Sequence, residues 1–469
     1  MSSQAEAERM NPDDQAPKSK RGYNFFLQMV AGLGGLLYGV DVGIIGGALP
    51  YLQATSHLTN AQLSIIVAAV LLGSVISTFF AGMIADWMGR KPFMVLSGVA
   101  FVISIPVIAL SQGYTPLFLG RLLQGTSAGF IGVVVPLYLA ECLPATGRGK
   151  GTGIFQWMLT LGIFAAALVG MYYSYRVADV TRLGNAQALF DFQNQAWRRI
   201  FWVSLPPGLL FVLGSLLVGE SPRWLFRRGL RDKAKAALLR SRAPEQAALE
   251  LREMEEPARL ARVRKGMGEV VNESLMQRKY VIPFLLACVI LFCNTATGIN
   301  SLIGFNTAIL LQSGLGDLQA HWGYVLFTAF NFVMTMIGVL LVDRKGRKFL
   351  LVLGTGGIIV SLVTVGGMFL SNESASIDCR GLMQQAVTQD QSLTVRFTPE
   401  EAQRLLAASG YTGSAIEAGR ASFAVIYSYG GFTATTSYVR SDDPGATPLH
   451  ITRDSAVPSN AVEALFQNP

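Results

Sequence analysis

NFFLQMVAGLGGLLYGVDVGIIGGALP, residues 24–50, is 27 residues long and carries one charge, Asp41. A helix that crosses the hydrocarbon core of a bilayer needs about 20 mainly apolar residues. The stretch is too long for the core of a signal peptide and lacks a small-residue cleavage site, so it reads as a retained spanning helix. Outward from it the pattern repeats. Residues 61–85, 92–111, 151–175, 200–219, 281–311, 322–342 and 349–370 carry no charge, and residues 116–140 carry only Arg121. Lipid offers backbone groups no partners, so these nine runs are expected to be helices. Composition agrees: 51% of the 469 residues are hydrophobic and 14% are charged, against about 25% charged in soluble domains. Collagen-like, disulfide-scaffold and disordered chains are excluded. The net charge is +8, but a chain this apolar is not read as a nucleic-acid binder.

Lys and Arg set the orientation. Lys18, Lys20 and Arg21 precede the first run; Arg90 and Lys91 follow the second; Arg148 and Lys150 follow the fourth. Residues 220–279 hold 15 basic residues, and Arg344, Lys345, Arg347 and Lys348 follow the eighth run. The opposite loops 51–60, 112–115 and 312–321 hold none. The exception precedes the sixth run, with Arg176, Arg182, Arg198 and Arg199. The amino terminus is therefore expected in the cytoplasm, and nine crossings place residues 371–469 outside. The expected division is a cytoplasmic tail (1–22), a six-helix half (23–219), a charged cytoplasmic connector (220–279), three helices of a second half (280–370) and an extracytoplasmic tail or insertion (371–469).

The connector has helical composition at residues 231–240 and 247–264. The tail carries 6 basic and 10 acidic residues, net −4, and differs in kind from the rest. Thr398-Pro399-Glu400-Glu401 reads as a capped helix start, with an end at Gly410. Residues 421–439 are rich in Tyr, Thr, Phe and Val and read as strand or hairpin around Gly430-Gly431, not as a tenth span. Four cysteines show neither a zinc spacing nor a disulfide framework, and three histidines make a His-based metal site or triad a poor expectation. No metal and no cofactor are expected.

Asp86-Trp-Met-Gly-Arg-Lys91 follows the second run, and Asp343-Arg-Lys-Gly-Arg-Lys348 follows the eighth. Such paired turns mark two related halves, as in one major class of secondary transporters. With GGLLYGVDVGIIGG (34–47), GMIADWMGRKP (82–92), GRLLQGTSAGF (120–130), PLYLAECLPATGRGK (136–150), GESPRWL (219–225), GIN (298–300) and VDRKGRK (342–348), the chain resembles the sugar porters of the major facilitator superfamily. Bacterial xylose/hexose–proton symporters are the members it looks most like. The resemblance covers residues 25–370 and implies an all-α membrane protein with the major facilitator fold.

Asp41 and Arg121 are ionisable groups inside apolar runs, and each should face the bundle interior or water, where they can pair. The resemblance implies a proton switch for this pair; the alternative is a static salt bridge. By resemblance, Gln156 hydrogen-bonds sugar hydroxyls, work an amide suits because it donates and accepts. Asn294 and Thr295 stand where the family usually has two glutamines, and Asn300 is retained. Gly304, Phe305 and Asn306 replace the usual aromatic pair and its neighbour, and Ile163 stands in place of a second glutamine. These departures imply a polar but altered pocket, with Tyr38 and Phe305 as candidates to stack on a sugar face. Asp86, Arg90, Glu141, Arg148, Glu220, Arg223, Arg344 and Arg347 resemble the family's cytoplasmic latch, and Trp87 stands where an Arg is common.

The family has twelve helices, and nine are read here. The expectation is therefore a truncated or interrupted product, with residues 371–469 an insertion ahead of a missing C-terminal segment that carries helices 10–12. A complete nine-helix protein is the alternative. The function implied is sugar transport by alternating access, coupled to protons, with a small-molecule sugar and the lipid bilayer as partners. No bond chemistry and no nucleic acid are implied, and a bacterial inner membrane is the location if the source is bacterial. An uncoupled facilitator and a non-transporting sugar sensor are the other readings. A membrane enzyme lacks a nucleophile–base grouping in the tail.

Overall fold

A computed structural model describes residues 18–56, 58–144, 148–266, 277–313, 315–373, 377–388, 390–409, 421–436, 439–441, 448–453 and 456–457. The first half comprises α1 (Lys18–Thr55), α2 (Asn60–Met88), α3 (Arg90–Ala109), α4 (Tyr114–Cys142), α5 (Arg148–Thr181), α6 (Ala186–Trp202) and α7 (Leu205–Leu217). Three shorter helices follow: α8 (Pro222–Arg227), α9 (Arg231–Ser241) and α10 (Pro244–Gly266). Then come α11 (Arg278–Ala296), α12 (Ile299–Gln312), α13 (Asp317–Lys345) and α14 (Arg347–Glu373). Among the described residues, nine segments are long and apolar enough to cross a membrane, and each contains one of the nine runs or most of it.

Two runs are broken where hydrophobicity alone shows no break. The sixth span starts at Ala186 rather than Ile200. Asn185 caps α6 by accepting from the Gln187 and Ala188 N–H groups, and the chain turns at Ser204 into α7, whose first turn carries proline. The seventh is divided at Gly298, whose φ of +80° separates α11 from α12. Arg198 at the end of α6 explains part of the charge exception. Its guanidinium donates to the Ala109 and Ser111 carbonyls at 2.8 Å each and lies 4.3 Å from the Trp197 ring. It satisfies the open carbonyls at the end of α3, so it marks a helix end and not a topology.

The densest packing is α1 on α5. Gly35, Gly39, Gly43 and Gly47 recur every fourth residue and so form a stripe on one face of α1. A Cβ on any of them would collide with backbone at Phe155, Leu159, Ile163 or Gly170 of α5. Small residues let two membrane helices approach until backbones touch. Two apolar cores flank this contact. One gathers Leu27, Phe93, Phe101, Val135 and Phe211 near the basic end of the bundle. The other gathers Ile44, Leu52, Ile108, Trp197 and Phe201 near the opposite end.

The second half joins the first through α12, packed on α1, and α13, packed on α5. The apolar side chains of α11 and α14, such as Phe284, Phe292, Val360 and Val363, are exposed.

The tail contains α15 (Arg380–Gln385), β1 (Leu393–Val395), α16 (Pro399–Ala408), β2 (Ser422–Phe423), β3 (Ile426–Tyr429), β4 (Phe432–Thr435), β5 (Val439–Arg440) and β6 (Leu449–Ile451). The strands form three nested antiparallel pairs, β1–β6, β2–β5 and β3–β4. The β3–β4 hairpin turns at Gly430, with φ +65°, as the composition of residues 421–439 predicts. Thr398 caps α16 by accepting from the Glu401 N–H. That helix ends at Ala408, and the expected stop, Gly410, lies outside the described residues.

Candidate functional site

Asp41 lies mid-way along α1 and Arg121 in the second turn of α4, and the fold brings them together. Arg121 Nη1 stands 3.5 Å from Asp41 Oδ1, and both side chains are essentially inaccessible, at 1% and 0% exposure. The contact is long for a charge-assisted hydrogen bond. Neither oxygen of Asp41 has a hydrogen-bond partner among the described residues. Arg121 Nη1 instead donates to Gln124 Oε1 at 2.7 Å, and its guanidinium carbon lies 5.5 Å from the Phe201 ring. Burial disfavours the ionised carboxylate while the neighbouring cation favours it. Gln124 and Phe201 hold the guanidinium independently of the carboxyl. Gln124 is a site residue that the sequence reading missed; its i+3 spacing from Arg121 was the available signal.

At the basic end, the candidate latch residues converge around Arg90. This guanidinium meets Glu141 through Nε (2.8 Å) and Nη2 (2.9 Å) and Asp86 through Nη1 (2.8 Å). The Ser221 hydroxyl also donates to Glu141. Glu220 lies outside the spans and accepts from the Ser221, Arg90 and Lys91 N–H groups, so its carboxylate caps the start of α3. Burial pushes the Glu220 carboxyl above its ordinary value, and the three backbone donors only partly offset that. Gly89 is required here twice over. Its φ is +101°, and a Cβ would strike Glu220 Oε2.

Arg223 takes no part in this cluster. Its Nε is buried without a hydrogen-bond partner among the described residues. The side chains of Arg148, Arg344 and Arg347 lie outside the described residues. Three connector residues missed in the sequence serve the second turn of the cluster. Trp224 Nε1 donates to the Asp86 carbonyl at 2.9 Å. Arg228 reaches the carbonyls of Asp86 and Trp87 at 3.0 and 2.7 Å. Arg227 stands 3.8 Å from Asp86 Oδ1. The connector thus supplies cations, Arg227 and Arg228, beside Trp87, which itself stands where an Arg is common. Arg242, also missed, is buried and donates to the Cys142 and Leu143 carbonyls at 2.9 and 3.1 Å, which closes the end of α4.

The candidate sugar-facing residues fall on different faces. Gln156 is exposed on α5, and Asn294, Thr295 and Asn300 are exposed around the α11–α12 break. The Thr295 hydroxyl is occupied by the Leu291 carbonyl at 3.0 Å. Asn306 on α12 buries an Oδ1 that has no partner among the described residues, and so does Nε1 of Trp157, next to Gln156. Trp157 stacks on Phe332 of α13 at 5.7 Å. Tyr38 is half-buried on α1, and Phe305 packs into the core near the opposite end. The open Nε1 of Trp157 thus lies beside a stacked aromatic pair between α5 and α13, whereas Asn306 belongs to α12, which packs on α1.

The family model described as "Sugar (and other) transporter" matches residues 27–383. The chain is 29% identical over 339 residues to the glucose transporter GlcP of Staphylococcus epidermidis, covering 72% of this chain and 70% of that protein. It is 28% identical over 338 residues to the galactose-proton symporter of Escherichia coli, covering 72% and 68%. Among solved structures, it is similar to the major facilitator superfamily proton:xylose symporter XylE bound to 6-bromo-6-deoxy-D-glucose. That match has TM-score 0.58 and 27% identity, and covers 70% of this chain and 71% of the other.

Proposed function

The chain belongs to the sugar (and other) transporter family and is an integral, multi-pass membrane protein, and from that premise we propose that it carries a sugar by alternating access coupled to protons. The observation that carries the reading is the buried Asp41–Arg121 pair at 3.5 Å, with neither carboxylate oxygen hydrogen-bonded among the described residues. A proton on Asp41 frees Arg121 to rest on Gln124; its loss restores the ion pair. The coupling ion is a proton and no other cofactor takes part. Gln156, Asn306 and Trp157 contribute the polar sugar contacts between the halves, with Tyr38, Asn294, Thr295 and Asn300 nearer the edges. The basic end faces the cytoplasm, and the Arg90–Glu141–Glu220 cluster anchors the gate there. The tail lies on the other side of the membrane. No bond is made or broken, so the protein acts as a carrier and not as an enzyme.

The test is uptake and counterflow of glucose, galactose, xylose and arabinose in proteoliposomes. An inward proton gradient should drive accumulation by the wild type. Asp41→Asn should abolish accumulation and keep counterflow. Uptake indifferent to the gradient would make the protein a facilitator, and sugar binding without any flux would make it a sensor.

A further inference from the structure

Arg121 and Gln124 stand one turn apart on α4, so their side chains share a face of that helix, and both are buried. Among the described residues, the hydrogen bond of the Arg121 guanidinium is the one from Nη1 to Gln124 Oε1, at 2.7 Å. The same Nη1 stops 3.5 Å short of Asp41 Oδ1, beyond the about 2.7–2.9 Å of a charge-assisted bond. Arg121 Nε, Gln124 Nε2 and both carboxylate oxygens of Asp41 are buried without partners among the described residues. Phe201 offers the guanidinium a ring face at 5.5 Å but no lone pair in the plane of its donors. The backbone that carries the pair is seated against α2: a Cβ at Gly125 would strike the Val70 carbonyl, and one at Gly129 the Ser74 carbonyl. A buried cation stripped of its acceptor is costly. Without the Gln124 amide, the acceptor within reach of Arg121 is Asp41, and the cation would close on it.

We propose that Gln124 is a positioning residue for proton coupling: its amide oxygen holds the Arg121 cation off the Asp41 carboxylate and so favours the protonated carboxyl. The proposal deepens the proton reading of Asp41 and rests on it. A cation in contact with an acid favours its ionised form, and a cation held back favours it less. The amide is neutral and takes no proton, so the standoff needs no second titration. Arg121 is the ion beside Asp41, and Tyr38 lies one turn earlier on α1. From α13, Tyr324 donates to the Gly43 carbonyl at 2.8 Å, and His321 lies a turn further, beside the Gly47 carbonyl. α5 has no titratable residue between Lys150 and Tyr172, α2 has none before Asp86, and α7 and α12 have none. On α6, Arg198 is engaged by the carbonyls that end α3, and Arg199 donates to Gln195 at 2.8 Å. The other titratable residues of α4 lie toward its ends, and α9 meets α1 at Asn24, at the basic end.

The test is infrared titration of the full chain in liposomes, reading the C=O stretch of protonated carboxyls between about pH 4 and 9. The Asp41 band is the part lost in Asp41→Asn, and each variant is read against its own Asp41→Asn counterpart. Gln124→Met keeps the length of the side chain and Gln124→Leu does not, and both lack the amide. In each, the midpoint of the Asp41 band should fall by about one unit or more, about tenfold in proton concentration. Gln124→Glu offers the cation a charged acceptor and should move the midpoint up. A general loosening of α4 would not reverse sign between these variants. A midpoint that stays or rises without the amide, or fails to rise in Gln124→Glu, would overturn the proposal. The readout needs no sugar flux. A wild type without an Asp41 band would overturn the proton reading and this proposal together, whereas a band whose midpoint ignores Gln124 would sink the positioning role alone.

Discussion

At the scale of single residues, the buried charges differ in what holds them. Arg90 has every strong donor matched by Glu141, Asp86 or a carbonyl, which suits a fixed anchor. Asp41 has a cation at 3.5 Å and, among the described residues, no hydrogen bond. Glu220 stands between them, with three backbone donors and yet a carboxyl pushed up by burial. A carboxyl raised in the folded state binds its proton more tightly folded than unfolded. Its contribution to stability therefore falls as pH rises from its ordinary 4.5 toward the raised value, and is level above it. Melting of the wild type and Glu220→Gln in detergent between about pH 4 and 8 checks this. The difference should move in favour of the glutamine variant across that window and then stay constant. Movement toward the wild type would mean that the α3 cap, not burial, dominates.

Among elements, the α1–α5 pair carries the strictest constraint. The four-residue glycine spacing of α1 matches the helical repeat, and the α5 backbone occupies the space where each Cβ would stand. Gly39→Leu would drive a side chain into the Leu159 carbonyl and separate the helices along their whole contact. The expected cost is about 3 kcal/mol or more, read as early heat-induced loss of the monodisperse peak on size exclusion in detergent. Gly82 in α2 has nothing within 4 Å of its Cβ position. Gly82→Ala should be neutral or up to about 1 kcal/mol stabilising. Equal loss in both variants would mean that glycine serves α1 through backbone freedom and not through close approach.

For the whole molecule, the basic loops, the connector and the Arg90 cluster share one end, while the hydrogen bonds of Tyr51 and Ser174 to Asp317 lie at the other. The proposed orientation puts the first end in the cytoplasm and the tail outside. With native cysteines removed, Ile426→Cys on the tail hairpin, 74% exposed, should react with a membrane-impermeant maleimide in intact cells. Lys235→Cys on α9 should react only after permeabilisation. The reverse pattern would invert the topology.

Nine spanning runs, their basic-loop asymmetry, the paired Gly-Arg-Lys turns and the capped helix at Thr398 were legible from the amino acids alone. Each is a local consequence of hydrophobic length, charge or capping chemistry, and needs no distant partner. The pairing of Asp41 with Arg121 was legible too, because two lone charges in apolar helices have few other ways to avoid lipid. Contacts between segments far apart in sequence were not. Gln124 as the second seat of Arg121, Arg228 and Trp224 closing α2, Arg242 closing α4 and Arg198 closing α3 all depend on which helix end a side chain reaches. His321 was read as part of a basic-free loop, yet it sits inside α13 against Gly47. Hydropathy records what a residue costs in lipid, not which polar atom lies across the helix interface, and that choice belongs to the packing of α1, α5 and α13.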